Sequence, residues 1–122
     1  MPVPQKIVAV VDDDSSMLGA TKDLLEVHGC ATRIFASAEE FLDSEAPTQV
    51  DCLLLDIQLG GISGIELRRQ LTASASRLPV IFMTALDDED TRAEAHKAGC
   101  VAFLRKPYSR RQLIDAIEKA MP

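Results

Sequence analysis

The sequence predicts an α/β fold, a doubly wound sheet of five parallel strands with helices on both faces. Short apolar runs alternate with amphipathic stretches five times along 122 residues. The amphipathic stretches carry helix caps and stops, and each return to a parallel strand needs such a crossover. Hydrophobic residues at 47% and charged residues at 26% give the balance of a globular chain.

The strand-like runs are Ile7–Val11, Ala31–Phe35, Cys52–Leu55, Val80–Thr84 and Val101–Arg105, short and rich in branched residues. The first helix is expected over Ser16–His28, with Met17, Ala20, Leu24 and Val27 on one face and Gly29 as its stop. Ser37-x-x-Glu40 is a capping box that opens a short second helix. Ser63 precedes a helix over Ile65–Ala73, and Asp88 precedes a polar, loosely packed one ending near Gly99. Ser109-x-x-Gln112 caps a last helix that turns Leu113, Ile114, Ile117 and Met121 inward. No repeat, low-complexity tract or linker interrupts the series, so one domain over 1–122 is expected.

A net charge of −6 argues against direct nucleic-acid binding, which needs clustered Lys and Arg. Cys30, Cys52 and Cys100 lack metal-ligand spacing and lie in or beside apolar runs. They read as buried small hydrophobes of a protein in the reducing cytoplasm. His28 and His96 read as helix-surface residues. The apolar runs are too short to span a membrane, and no basic-then-apolar leader precedes the first strand, so neither insertion nor secretion is expected.

Open α/β sheets bind ligands beyond the carboxyl ends of their strands, where the strand order reverses. In the flavodoxin-like order 2-1-3-4-5 that point lies between the first and third strands. These end in Val10-Val11-Asp12-Asp13-Asp14 and Leu53-Leu54-Leu55-Asp56. Two carboxylates about 5 Å apart repel by roughly 3 kcal/mol at an effective dielectric near 20, so such a cluster calls for a cation. Carboxylate oxygens completed by water and phosphate suit Mg²⁺. The fourth strand delivers the Thr84 hydroxyl to the same edge, and the fifth delivers the Lys106 ammonium. Asp12, Asp13, Asp56, one Mg²⁺ and Lys106 then balance in charge. A carboxylate nucleophile, a metal, a Lys and a hydroxyl are what phosphoryl transfer to Asp56 requires.

Asp12-Asp13, Asp56, Thr84-Ala85, Phe103 and Lys106-Pro107, in this order and at strand ends, resemble the receiver domain of bacterial two-component response regulators. The resemblance spans nearly the whole chain and is nearest in style to receivers of the FixJ kind. It implies that Asp56 accepts a phosphoryl group from a histidine kinase or phosphotransfer protein, and that the domain is a signalling switch, with at most slow self-phosphorylation and self-dephosphorylation. It also implies Mg²⁺ on Asp13, Asp56 and the Gln58 backbone carbonyl, with Asp12 acting mainly through water. Thr84 would hydrogen-bond the phosphoryl, Lys106 would pair with it, and Phe103 would rotate inward as Thr84 moves. The face of the fourth helix, fifth strand and fifth helix (the α4-β5-α5 surface) would then meet a downstream protein, an output domain or a second copy of the chain.

Asp14 tempts a shift of the acidic pair by one residue, but the apolar run ends at Val11 and negative charge at Asp14 suits the first turn of the following helix. Gly60-Gly61-Ile62-Ser63-Gly64 lacks the Gly-Lys-Ser/Thr ending of a nucleotide-binding loop. Relatives commonly carry Met-Pro where this chain has Leu59-Gly60, so a looser loop is expected there. Phosphoryl lifetime should be decided at that loop and at Gln58 and Leu86. A carboxylate-nucleophile phosphatase would want an acid at Gln58, and a flavin module would want hydroxyls where Asp12 and Asp13 stand. The chain ends where the last helix should finish, as a stand-alone receiver would, and as a piece of a longer regulator would equally.

Overall fold

Nearly continuous apolar runs make the three inner strands, β1, β3 and β4, bury both faces, and the sheet has the order β2-β1-β3-β4-β5, all pairs parallel. The structure is a computed structural model that describes residues 5–86 and 88–121. In chain order the elements are β1 (Ile7–Val11), α1 (Ser15–Val27), β2 (Ala31–Phe35), α2 (Ala38–Asp43), α3 (Ala46–Gln49) and β3 (Cys52–Asp56). They continue with α4 (Gly64–Ala73), β4 (Val80–Thr84), α5 (Glu89–Ala98), β5 (Ala102–Arg105) and α6 (Arg110–Ala120).

The period of two along each strand divides the core between the sheet's faces. Ala9, Val11, Leu53, Leu55, Val80 and Phe82 pack with Phe41, Ile65, Leu67, Leu71 and Ala95 from α2, α4 and α5. Val8, Val10, Cys52, Leu54, Ile81 and Met83 pack with Leu18, Leu25, Leu113 and Ile117 from α1 and α6. Burying a Leu or Ile side chain completely contributes about 1.5–3 kcal/mol, so the two clusters hold the strand register firmly.

Side-chain oxygens satisfy the first N–H groups of five helices. Asp14 accepts from Ser16 and Met17, Ser37 from Glu40, Ser63 from Glu66, Asp88 from Thr91, and Ser109 from Gln112. Asp14 is thus the cap of α1, in keeping with its reading as a helix-start residue. The capping box at Ser109 is complete. At Ser37 only half of it forms, because the Glu40 carboxylate takes the N–H of Ala36 at 2.7 Å instead.

Four expectations need correction. The buried face of α1 is Leu18, Thr21 and Leu25, one residue on from the predicted stripe, and Val27 is 72% exposed. The stripe missed because it counted only apolar residues, while Thr21 buries its hydroxyl against a partner in the loop after β5. Cys30 and Cys52 are buried, but Cys100 is only partly so. A four-residue helix, α3, follows α2, so the switching face of the resemblance corresponds here to α5, β5 and α6. Finally, β3 runs one residue further than predicted, through Asp56, and β5 starts one later, at Ala102. The polar α5 buries only Ala95, as its composition predicts.

Candidate functional site

The register of four adjacent strands, β1, β3, β4 and β5, assembles the site. Val11 lies opposite Leu55, so the residues that follow, Asp12 and Asp56, leave the sheet side by side. Asp56 pairs with Met83, which puts Thr84 one step beyond it, and Thr84 pairs with Arg105, which puts Lys106 one step beyond that. All four residues therefore converge on the carboxyl edge at the point where strand order reverses.

Asp12, Asp56 and Thr84 are buried, with exposures of 0%, 4% and 0%. Asp13 is exposed at the rim. Lys106 Nζ lies 2.6 Å from Asp12 Oδ2 and 2.9 Å from Asp56 Oδ2, so one ammonium bridges the two buried acids. The other oxygen of each acid takes a backbone donor: Asp14 N–H on Asp12 Oδ1 and Gln58 N–H on Asp56 Oδ1, both at 3.0 Å. The acid side chains are thereby held in fixed rotamers by the chain that follows them.

Burial pushes the Asp56 carboxyl up from an ordinary 3.8 to about 6; Lys106 opposes the rise, Asp12 adds to it and the Gln58 N–H opposes it. Burial works against the Lys106 ammonium as well, but its bonds to Asp12 and Asp56 outweigh that and hold its pKa above the ordinary value. One Lys against three acids leaves an uncompensated negative site. Carboxylate oxygens of Asp12, Asp13 and Asp56 lie within 4.8 Å of one another, close enough to share one ion. An all-oxygen donor set with excess negative charge fits a hard divalent cation such as Mg²⁺.

Thr84 stands at the site with its hydroxyl already engaged. It donates to the side-chain oxygen of Gln58 or to Leu86 O at 3.1 Å, and it accepts Leu86 N–H at 3.0 Å. Phe103 is partly buried on β5, and the Arg92 guanidinium from α5 lies 5.1 Å from its ring centre. Every residue singled out from the sequence is thus at this edge, apart from Phe103, which lies one strand position before Leu104 on the outer strand.

Two contributions were not read from the sequence. The Gln58 side chain, expected to bear on phosphoryl lifetime, accepts from the Thr84 hydroxyl, a partner that its position in the sequence does not announce. Tyr108, just after Lys106-Pro107, bonds Thr21 of α1 at 2.7 Å and lies 3.5 Å from Met83 Sδ, pinning the loop that carries Lys106. The position of Tyr108 after the Lys-Pro pair was a usable signal; its partner was not.

The loop after β3 also has a physical account. A Cβ on Gly64 would lie 2.2 Å from the Asp56 carbonyl oxygen, so only glycine lets α4 start against the strand end. Gly61 has φ +78°, and a Cβ there would meet the Glu39 carboxylate at 2.3 Å. That same carboxylate accepts Ile62 N–H at 3.3 Å, so α2 tethers the loop that the Leu59-Gly60 sequence was expected to loosen.

The sequence profile of the response regulator receiver domain matches residues 8–118. Among curated relatives, the transcriptional regulatory protein TdiR of Thauera aromatica is 36% identical over 114 residues, covering 93% of this chain and 50% of TdiR. The transcriptional regulatory protein FixJ of Azorhizobium caulinodans is also 36% identical over 114 residues, 93% of this chain and 54% of FixJ. The solved structure of the response regulator StyR superposes with a TM-score of 0.88 at 41% identity, over 97% of this chain and 60% of StyR. The chain spans about half the length of the curated relatives it matches. By profile, sequence and fold, the chain belongs to the response regulator receiver domain family of two-component systems.

Proposed function

We propose that residues 1–122 work as one receiver module in which Asp56 is the phosphoacceptor, supplied by the phosphohistidine of a cytoplasmic histidine kinase or phosphotransfer protein. The observation that carries this reading is the Lys106 ammonium bridging Asp12 and Asp56 beside the exposed Asp13. An Asp56 oxygen forms the new O–P bond as the P–N bond breaks, and the donor imidazole leaves neutral, keeping the proton on its other nitrogen. Asp13, Asp56 and the Gln58 carbonyl would hold Mg²⁺, with Asp12 behind them; bound there, the ion would shield the charge of the incoming phosphoryl. Lys106 pairs with one phosphoryl oxygen and Thr84 donates its proton to another. With no acid two residues after Asp56, hydrolysis of the acyl phosphate is left slow, as suits a signal rather than turnover.

The signal then passes through Thr84 and Phe103 to the face of α5, β5 and α6, which meets a downstream protein, an output domain or a second copy. Phosphoryl can shift this equilibrium only by binding the two states differently, so the unphosphorylated domain samples both. Incubation with acetyl phosphate and Mg²⁺ tests the reading. One phosphoryl of added mass in wild type, absent from Asp56→Asn, is the expected outcome; equal labelling of both proteins would contradict it.

A further inference from the structure

We propose that the Gln58 side chain is a positioning residue that holds the Thr84 hydroxyl in the resting arrangement and so sets how often the unphosphorylated domain visits the active one. The inference rests on the receiver reading of Asp56 and goes beyond it.

A hydroxyl has one proton and two lone pairs. At Thr84 the proton goes to Gln58 Oε1 or to the Leu86 carbonyl, and a lone pair takes the Leu86 N–H at 3.0 Å. Thr84 is buried, so none of this is replaced by water while it stays in place. To donate to a phosphoryl oxygen on Asp56, it must withdraw that proton from whichever of Gln58 and Leu86 holds it. Gln58 and Leu86 are both exposed. Water therefore re-satisfies the two acceptors once Thr84 leaves, which keeps the restraint modest and reversible.

Gln58 is also joined to the other end of the switch. Its N–H donates to Asp56 Oδ1 at 3.0 Å while its side chain receives Thr84. A change of charge at Asp56 thus reaches the Gln58 backbone directly and disturbs the contact that restrains Thr84. Apparent affinity for a ligand of the active state scales with the fraction of molecules already in that state.

The test compares wild type, Gln58→Met and Gln58→Glu with beryllofluoride as the phosphoryl mimic. Methionine keeps length and flexibility but offers no amide oxygen; glutamate keeps an oxygen in reach of Thr84. Mimic affinity is measured at saturating Mg²⁺, which removes any change in metal affinity from the comparison. Thr84 resonances are read by NMR without the mimic. For Gln58→Met, losing one of the two acceptors open to the Thr84 proton in the resting state should tighten mimic binding about threefold to tenfold. Its unliganded Thr84 signals should move toward their position in mimic-saturated wild type, and those of Gln58→Glu should stay near the resting position. Normal binding by wild type with unchanged Thr84 signals and affinity in Gln58→Met would overturn the latch alone. Absence of mimic binding in wild type would overturn the receiver reading and the latch with it.

Discussion

Lys106 Nζ lies 2.9 Å from Asp56 Oδ2, and the same ammonium reaches Asp12 Oδ2 at 2.6 Å, so one cation offsets two buried carboxylates. In Lys106→Met the acids face each other without it. Breaking a buried pair by removing one partner is strongly destabilising, but Lys106 is partly exposed and Asp56 can take up a proton. We expect a loss of about 1–3 kcal/mol at pH 7.5 in chelator, scaled down from fully buried pairs. Urea unfolding with and without Mg²⁺ checks it, and added Mg²⁺ should recover part of the loss.

The raised Asp56 carboxyl makes stability depend on pH with a definite sign. A carboxyl at about 6 in the fold and 3.8 when unfolded binds its proton more tightly in the fold. Its stabilising contribution is complete below about pH 4 and is lost as pH rises through 6. Asp56→Asn, which carries no charge to bury, should therefore be the more stable protein at pH 7.5 in chelator. The advantage should be about 1–3 kcal/mol, since each tenfold difference in proton affinity is worth roughly 1.4 kcal/mol. It should shrink as pH falls toward 4. Paired urea titrations of the two proteins across this range isolate the Asp56 contribution from other acids.

Glycine is needed at Gly64 and dispensable at Gly60. A Cβ at Gly64 would meet the Asp56 carbonyl oxygen at 2.2 Å, and the nearest atoms are all backbone of Asp56 and Ile57, which leaves no flexible side chain to yield. A Cβ at Gly60 meets no heavy atom within 4 Å. Gly64→Ala should cost about 2–4 kcal/mol, in the range of overpacked or strained sites. Gly60→Ala should be neutral or stabilise by up to about 1 kcal/mol through a stiffer unfolded chain. Thermal unfolding of the two variants gives the comparison.

Tyr108 is the chain's one tyrosine, in a sequence without tryptophan. Its hydroxyl bonds the buried Thr21 at 2.7 Å, so Tyr108→Phe leaves the Thr21 oxygen without that partner. A cost of about 1–2 kcal/mol is expected for one unsatisfied hydroxyl. Chemical denaturation followed by circular dichroism measures it, and Thr21→Val combined with Tyr108→Phe should recover part of the loss.

The strands and most caps were legible because their signals are local. Val10-Val11-Asp12-Asp13 and Leu54-Leu55-Asp56 mark the strand ends, and Ser63, Asp88 and Ser109 each precede a helix by one residue. The convergence of Asp12, Asp56, Thr84 and Lys106 followed once the strand order was supplied, since register carries each to the same edge. What stayed hidden depends on side chains meeting across the fold. Thr21 looked polar and was placed off the buried face of α1, because its partner Tyr108 lies 87 residues away. Glu39 gave no sign that it would tether Ile62 across 23 residues. The bond from Thr84 to the Gln58 side chain was not legible, because rotamers and partners at a loop position are set by the finished site, not by the neighbouring sequence.

The central claim is that Asp56 is the phosphoacceptor of a magnesium-dependent site. The most direct measurement is intact-mass analysis after incubation with acetyl phosphate, with Mg²⁺ and with chelator, for wild type and Asp56→Asn. One added phosphoryl group is expected in wild type with Mg²⁺ and none in the other three samples. Labelling that persists in Asp56→Asn, or that is unchanged by chelator, would contradict it.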